Sequence, residues 1–360
     1  MTDLPQTNAV HARQIAFFCA FVLPLFKFLE APSILASFVS GDLLLPALLQ
    51  YLFQAGVLAL LLFALSRLDK SVAELLRERL GKWTGVVYIA YALFFLLYAV
   101  LPLLDLEKFV YAVFYDTSPT LFSFTAFFVL LAFACTKGLK ALGRVADLSL
   151  FLFLLPFVLL LIMSLAEADA SNLLPFFEQD FSGSLQAVKY TAPHFADVAL
   201  LLPLFLNFRY KKGDGAKIMT GYGVGALCVL VFLAVFYGVY STIAPREHYA
   251  FAKIAQYFPA LTIVGRIDLI LVYALCIVLF FATLSPLVCA VDLTARTLGT
   301  EKKTLLSAIV AIGAFVFVLF NNKHYNAFYA VISGKLFIVF WIFTLLLPVL
   351  IFLLGGKKNA

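Results

Sequence analysis

Apolar residues recur along this chain in blocks of about 20, the length that a helix needs to cross roughly 30 Å of hydrocarbon. The blocks are continuously apolar and do not alternate with polar residues, which excludes a transmembrane barrel. The composition agrees, since 64% of the 360 residues are hydrophobic and only 13% are charged, far from the balance of soluble domains. We therefore expect an all-α integral membrane protein.

The blocks predict about ten transmembrane helices, which we call spans 1 to 10. We expect all residues, 1–360, to form a single transmembrane domain. The expected bounds of the spans are 14–40, 43–66, 84–112, 119–136, 143–166, 184–208, 216–242, 261–295, 304–322 and 328–354.

The basic residues predict the orientation of these spans. Most of the 26 Lys and Arg residues fall near the amino terminus, after the even-numbered spans and at the carboxyl-terminal tail. By the positive-inside rule, both termini are expected in the cytoplasm. This loop asymmetry also explains the net charge of +6, so the charge does not indicate a nucleic-acid partner.

Two loops carry helical patterns of their own. The segment Arg67–Trp83 places apolar residues at helical spacing among charges, so we expect a helix along the inner membrane face or the base of the bundle. The segment Pro245–Pro259 begins with a proline suited to a helix start and stops at a second proline, so it could cap the outer vestibule.

Spans 1 and 6 contain residues that are costly to place among lipid tails. Each proline removes a backbone hydrogen bond, and each charge at this depth costs several kcal/mol unless it is paired or hydrated. Such helices usually break and line a cavity. The residues are Pro24, Lys27, Glu30 and Pro32 in span 1, and Pro193, His194, Asp197 and Pro203 in span 6.

The positions of these two spans predict the overall topology. Spans 1 and 6 are the first members of two five-helix halves, and a broken helix at the same place in each half indicates a transporter binding site. Because each half holds an odd number of helices, the halves must be inverted relative to each other. We expect a 5+5 inverted repeat, LeuT-like, with repeat one at about 14–166 and repeat two at about 184–354.

The polar residues of the breaks have alternative interpretations. Lys27 and Glu30 lie three residues apart and could neutralise each other; alternatively, Lys27 accepts a ligand carboxylate or supplies a fixed positive charge where related transporters bind sodium. Asp197 could pair with a ligand ammonium group or with Lys27. His194 could titrate near neutral pH or simply form a hydrogen bond in the packing.

Further candidates lie on the helices expected to wall the cavity. Phe28, Tyr98, Tyr273 and Thr283 complete the predicted substrate-binding set, and Arg266 with Asp268 forms a candidate ion pair or gate. The histidines are scattered, and no serine or cysteine nucleophile lies beside a base. We therefore expect no enzyme activity, no metal and no cofactor.

Several runs resemble the spore-germination permease family, the B subunits of germinant receptors, within the amino acid–polyamine–organocation transporter superfamily. Span 1 holds a lysine before a Leu-x-Pro-Ser-like stretch and a Gly-Asp turn, and span 5 opens with Gly-Leu-x-x-x-Gly-Arg. Related runs precede spans 6 and 8. They are Lys27–Ala36 with Gly41-Asp42, Gly138–Arg144, Asn172–Pro175, and Arg246–Pro259 leading into Gly265–Asp268.

This resemblance implies an inverted-repeat transporter fold and a role in sensing small nutrients, typically amino acids, in the spore inner membrane. It also implies an A subunit and a lipoprotein C subunit as partners. The chain departs from the wider superfamily at span 1, where the glycine-rich break that binds a substrate carboxylate is replaced by Pro24–Glu30. In span 6, the usual Pro-Phe-Gly-Glu reads Pro193-His-Phe-Ala-Asp197.

Three functions are therefore open at this point. The first is a ligand-sensing, transporter-like subunit of a spore germinant receptor. The second is a proton-coupled amino acid symporter in which Lys27 or Asp197 exchanges the proton. The third is a scaffold that binds no ligand, which predicts that the polar groups of spans 1 and 6 satisfy one another.

Overall fold

The computed structural model describes residues 10–114, 120–174, 181–247, 268–300 and 302–355. Within these ranges the chain is helical, and we number the helices in chain order. They are α1 (Ala12–Leu25), α2 (Ala31–Val39), α3 (Leu44–Ser66), α4 (Val72–Leu80), α5 (Trp83–Phe114), α6 (Thr120–Leu165), α7 (Phe181–Thr191), α8 (Asp197–Phe205), α9 (Asp214–Tyr240), α10 (Asp268–Leu298), α11 (Thr304–Asn321), α12 (Tyr325–Tyr329) and α13 (Phe337–Gly355).

The helices match the ten predicted spans closely. Spans 2, 3, 7, 8 and 9 correspond to α3, α5, α9, α10 and α11, although 261–267 of span 8 lies outside the described residues. Spans 4 and 5 are the two halves of α6, which bends where Gly138 adopts a φ of 73°. A side chain rarely tolerates that backbone conformation, so glycine suits the turn between the two spans.

Three spans are each divided into two helices. Span 1 is formed by α1 and α2, span 6 by α7 and α8, and span 10 by α12 and α13 with a π-helical turn at Ala330–Lys335. Six stretches in the described part of the chain are long and apolar enough to cross a membrane unaided, including α5, α10 and α13. The all-α membrane architecture is confirmed.

The loop between α3 and α5 contains the predicted surface helix, α4. It begins with a capping box, in which the Glu74 N–H donates to Ser71 Oγ at 3.3 Å and the Ser71 N–H donates to Glu74 Oε2 at 2.9 Å. The Ser71 N–H and the Arg209 guanidinium hold the pKa of Glu74 below its ordinary value. Because the Ala73 N–H donates to Leu206 O, α4 is anchored to the end of span 6.

The prediction of an outer helix at Pro245–Pro259 is wrong about where that helix begins. Pro245 lies inside a 3-10 turn, Ser241–Arg246, that follows α9 directly, so it does not open a new helix. The reason is local: Ser241 ends α9 with a φ of 46°, and the next residues close tight 3-10 turns. Residues 248–259 of the predicted helix lie outside the described part of the chain.

Close packing against α9 and α7 positions the two halves of span 1. Helix α1 packs on α9, and α2 packs on α7. A Cβ added at Gly221 or Gly225 would lie under 3.0 Å from the carbonyl oxygen of Ala16 or Cys19, whereas one at Gly223 would meet nothing within 4 Å. Gly221 and Gly225 therefore let the backbones of spans 1 and 7 approach closely, and Gly223 does not contribute.

Candidate functional site

Spans 1 and 6 are broken, as predicted. In span 1, α1 ends at Leu25 and α2 begins at Ala31, with Pro32 in its first turn. In span 6, α7 ends at Thr191, and a 3-10 turn with Pro193 near its start leads to α8. A proline is tolerated in a first helical turn, where its missing N–H has no acceptor, and it prevents the preceding helix from continuing.

Lys27 and Asp197 form an ion pair that joins the two breaks. Both side chains are fully buried, and Lys27 Nζ donates to Asp197 Oδ1 and, at 2.9 Å, to Leu23 O. Tyr222 of α9 donates its hydroxyl to Asp197 Oδ2 at 3.0 Å. Of the two interpretations of Asp197, the structure shows the pair with Lys27.

The helix ends favour this arrangement of charges. Lys27 lies just beyond the carboxyl end of α1, and Asp197 is the first residue of α8. A cation at a helix carboxyl terminus and an anion at a helix amino terminus are both stabilised by the helix dipole. The ring centroids of Tyr51 and Phe195 lie 5.9 and 5.3 Å from Lys27 Nζ, so the negative faces of these rings attract the ammonium group.

Polar residues of α3 support the break in span 6. Gln54 accepts the Val198 N–H at 3.1 Å, which satisfies a backbone donor at the start of α8. Gln50 donates to Thr191 Oγ1 at 2.7 Å, at the end of α7. Span 2 therefore supplies Gln54 to a backbone N–H of span 6 that lacks a helical partner, and Gln50 to a side chain at the other end of the break.

Glu30 belongs to a second polar cluster and does not pair with Lys27. It is buried, and its Oε2 accepts a hydrogen bond from the Tyr325 hydroxyl of α12. On α5, Asp105 is also buried, and Lys108 Nζ lies 3.2 Å from the centroid of the Tyr325 ring. The interpretation of Lys27 and Glu30 as a mutually neutralising pair is therefore wrong.

A small hollow lies between the breaks and α5. It leaves about 20 Å³ for the centres of water-sized molecules, which is room for about one water. Two polar atoms at this hollow, Tyr98 Oη and His194 Nε2, are buried without a hydrogen-bond partner among the described residues. Its lining includes Phe26, Leu29, Tyr98, Asp105, Pro193 and His194.

The other predicted site residues do not line the hollow. Phe28 packs in an aromatic cluster with residues of α6 and α9, and Thr283 donates to Leu279 O of its own helix at 2.7 Å. Tyr273 has 52% of its side chain exposed, so the structure does not bring it to the breaks. Arg266 and the side chain of Asp268 lie outside the described residues.

Besides Gln50 and Gln54, sequence reasoning missed three polar residues of the site. They are Asp105 on α5, Tyr222 on α9 and Tyr325 on α12. An acid within a membrane span is a functional candidate on cost alone, so Asp105 could have been found from its position in span 3. The two tyrosines carry no such signal, because tyrosines are abundant in this chain.

Comparison with known proteins identifies the family. A family model described as "Spore germination protein" matches residues 47–326, more than half of the chain. The chain belongs to this spore germination protein family. The matched range includes Asp105, His194, Asp197 and Tyr222 but begins after span 1, so Lys27 and Glu30 lie outside it.

A solved structure shows the fold of this family member. A manganese transporter from Eremococcus coleocola, crystallised in complex with an aromatic bis-isothiourea substituted compound, aligns with a TM-score of 0.54 and 13% sequence identity. The alignment covers 100% of this chain and 86% of the transporter chain. The chain therefore has the LeuT-like transporter fold. No curated protein matches it in sequence.

Proposed function

We propose that this chain is the ligand-sensing, transporter-like subunit of a spore germinant receptor, and that it binds a small nutrient between the breaks of spans 1 and 6. The observation that carries this proposal is the buried Lys27–Asp197 pair, held where two broken helices meet beside a hollow. The family match supplies the biological setting. The proposed location is the spore inner membrane, with both termini cytoplasmic and A and C subunits as partners.

An amino acid suits this site because it carries both charges that the pair offers. Its carboxylate would replace Asp197 as the partner of Lys27, and its ammonium group would replace Lys27 as the partner of Asp197. Separating a buried ion pair without such replacement is costly, since each charge loses its partner. A zwitterion compensates both charges, whereas a ligand with a single charge compensates one.

The hollow is smaller than an amino acid, so binding requires spans 1 and 6 to move apart. A ligand shifts a conformational equilibrium by as much as its affinities for the two states differ. Binding at the junction of the two proposed repeats, 14–166 and 184–354, would therefore favour one arrangement of the halves. That shift is the proposed signal to the A and C subunits.

The scaffold alternative is partly consistent with the same contacts. Lys27, Asp197 and Tyr222 do satisfy one another, as a scaffold without a ligand predicts. Tyr98 Oη and His194 Nε2, in contrast, have no partner among the described residues although they lie at the hollow. Buried polar atoms are rarely left unpaired, so these two favour an occupant, either water or a ligand.

Calorimetric titration of amino acids into the purified chain tests the proposal. We expect at least one amino acid to bind, and Lys27→Met and Asp197→Asn each to weaken that binding by tenfold or more. Lys189→Met is the matched control, because it removes a lysine of span 6 that lies outside the pair. Wild-type affinity in both pair variants would contradict the assignment of the site.

The proton-coupled symporter remains the second candidate, because a buried ionisable pair is typical of proton relays in membrane transporters. Uptake of labelled amino acids into proteoliposomes distinguishes the two functions. A sensor binds without accumulating the amino acid, whereas a symporter accumulates it when a proton gradient is imposed. Accumulation that is driven by pH and lost in Asp197→Asn would favour the symporter.

A further inference from the structure

Besides its π-helical turn, span 10 contains a second irregular point, which lies within α13. Pro348 is inside this helix. It has no N–H to donate to Thr344 O, and its ring crowds that carbonyl, so the helix loses one backbone bond and tends to bend at this turn. The Thr344 hydroxyl is buried and has no hydrogen-bond partner among the described residues, so it does not reinforce the turn.

A tyrosine of span 3 bonds to the turn just before this proline. Tyr91 on α5 is 3% exposed, and its hydroxyl donates to Phe343 O at 2.7 Å and accepts the Leu347 N–H at 3.1 Å. In a regular helix the Leu347 N–H would donate to Phe343 O, because the two residues are four apart. The Tyr91 hydroxyl therefore bridges the donor and the acceptor of one helical bond.

The bridge and the proline weaken two consecutive bonds of α13. A backbone N–H has one hydrogen, so the bond from Leu347 to Tyr91 weakens the bond that Leu347 can make within its own helix. The next bond along the helix is missing because of Pro348. Sharp bends in helices occur at prolines and where a side chain inserts between a backbone donor and its acceptor, and α13 has both features in one turn.

A second small hollow lies beside this turn. It leaves about 10 Å³ for the centres of water-sized molecules, and its wall includes Tyr91 and Leu347 together with Leu202, Pro203 and Leu206 of span 6. Protein interiors are otherwise close-packed. An unfilled space next to a weakened turn gives α13 room to move relative to span 6.

We propose that residues 343–348 form a hinge in span 10 and that Tyr91 couples this hinge to span 3. The hydroxyl holds the weakened turn against α5, and the part of α13 after the turn bends relative to the part before it. Tyr91 and Leu347 are not among the residues that line the ligand hollow. The hinge is therefore a conformational device that is separate from the proposed ligand contacts.

Distances between pairs of spin labels, measured by electron paramagnetic resonance on the purified chain after the five native cysteines are replaced, test the hinge. On α13, Ile338 lies before the hinge and Leu353 after it; both are exposed, as is Leu305 at the start of α11, which serves as the reference position. Labels are attached to Leu305→Cys together with Leu353→Cys or Ile338→Cys.

We expect Tyr91→Phe and Pro348→Ala to move the distance between positions 305 and 353 in the same direction. Each variant strengthens one of the two weakened bonds and so reduces the bend. The expected shift is about 3–5 Å, because a bend of roughly 20° displaces the last turns of a helix by that much. The distance between positions 305 and 338 should stay as in wild type.

Tyr88→Phe is the matched control for Tyr91→Phe. Tyr88 lies three residues earlier on α5 and lines the same small hollow, but its hydroxyl makes no hydrogen bond to α13 among the described residues. This variant should leave both distances unchanged.

Two results would overturn the hinge. The first is a wild-type distance between positions 305 and 353 in both Tyr91→Phe and Pro348→Ala. The second is an equal shift at positions 338 and 353, which would mean that α13 moves as one rigid rod or that the variant is misfolded throughout. The measurement needs no amino acid, so it fails or succeeds independently of the proposed ligand-sensing function.

Discussion

Lys27 and Asp197 show how two costly residues can stabilise each other within a membrane protein. Each is fully buried, and each has further polar partners besides the other. Removing one partner of a buried pair leaves an uncompensated charge, whereas replacing both can be nearly neutral. The pair should therefore behave as a unit in stability measurements.

This coupling predicts the outcome of a double-mutant cycle. We expect Lys27→Met and Asp197→Asn each to lower the free energy of unfolding by ~3–5 kcal/mol. The double variant should lose less than the sum of the two, because neither unpaired charge remains. Denaturant unfolding in mixed micelles measures all four proteins, and strictly additive losses would show that the two residues do not interact.

Tyr222 makes a hydrogen bond to a charged acceptor, which is stronger than a bond between neutral groups. Tyr222→Phe should therefore lower the free energy of unfolding by about 1.5–3 kcal/mol. Tyr273→Phe is the control, because that side chain is half exposed on α10 and lies away from the breaks. Equal stability of the two variants in the same unfolding assay would count against the hydrogen bond to Asp197.

At the scale of helices, the contact between spans 1 and 7 depends on two glycines of α9. Gly221 and Gly225 are four residues apart, so they lie on one face of α9 against α1. Gly223 lies between them in sequence but meets nothing within 4 Å. This difference provides an internal control within five residues of one helix.

Substitution of these glycines should separate packing from helix propensity. Gly221→Ala and Gly225→Ala should each cost about 1–3 kcal/mol of stability, because the new methyl group would overlap the α1 backbone. Gly223→Ala should be neutral or slightly stabilising, since alanine favours helix. Thermal unfolding in detergent ranks the three variants, and a loss in Gly223→Ala equal to the other two would contradict the packing.

The sequence predicted most of the helices because lipid imposes a simple rule on length and polarity. The ten spans and the breaks in spans 1 and 6 follow from apolar block length and from prolines and charges within blocks. The prediction that a helix starts at Pro245 was wrong, because Ser241 ends α9 and leads into 3-10 turns that contain Pro245. Local backbone geometry of that kind leaves little trace in composition.

The site was predicted only in part, because its partners lie far apart in the chain. Spacing along one helix suggested Lys27 with Glu30, but the fold brings Asp197 to Lys27 and Tyr325 to Glu30. Contacts across 170 and 295 residues depend on how the spans pack, which periodicity within one span does not contain.

At the scale of the whole molecule, the account rests on one claim: the breaks of spans 1 and 6 surround a hollow that water and a small ligand can enter. Tyr98 lines this hollow, whereas Leu93, five residues earlier on α5, is 61% exposed on the outer surface of the bundle. One helix therefore presents one residue to the hollow and another to the side expected to face lipid.

Labelling of introduced cysteines with a hydrophilic thiol reagent in membranes tests this claim most directly, after the five native cysteines are replaced. The account predicts that Tyr98→Cys is labelled, because a thiol must reach water to form the reactive thiolate, and that an amino acid that binds protects it. Leu93→Cys should stay unlabelled. If Tyr98→Cys proved as inert as Leu93→Cys, with and without amino acids, the hollow would be closed to water and the account would be contradicted.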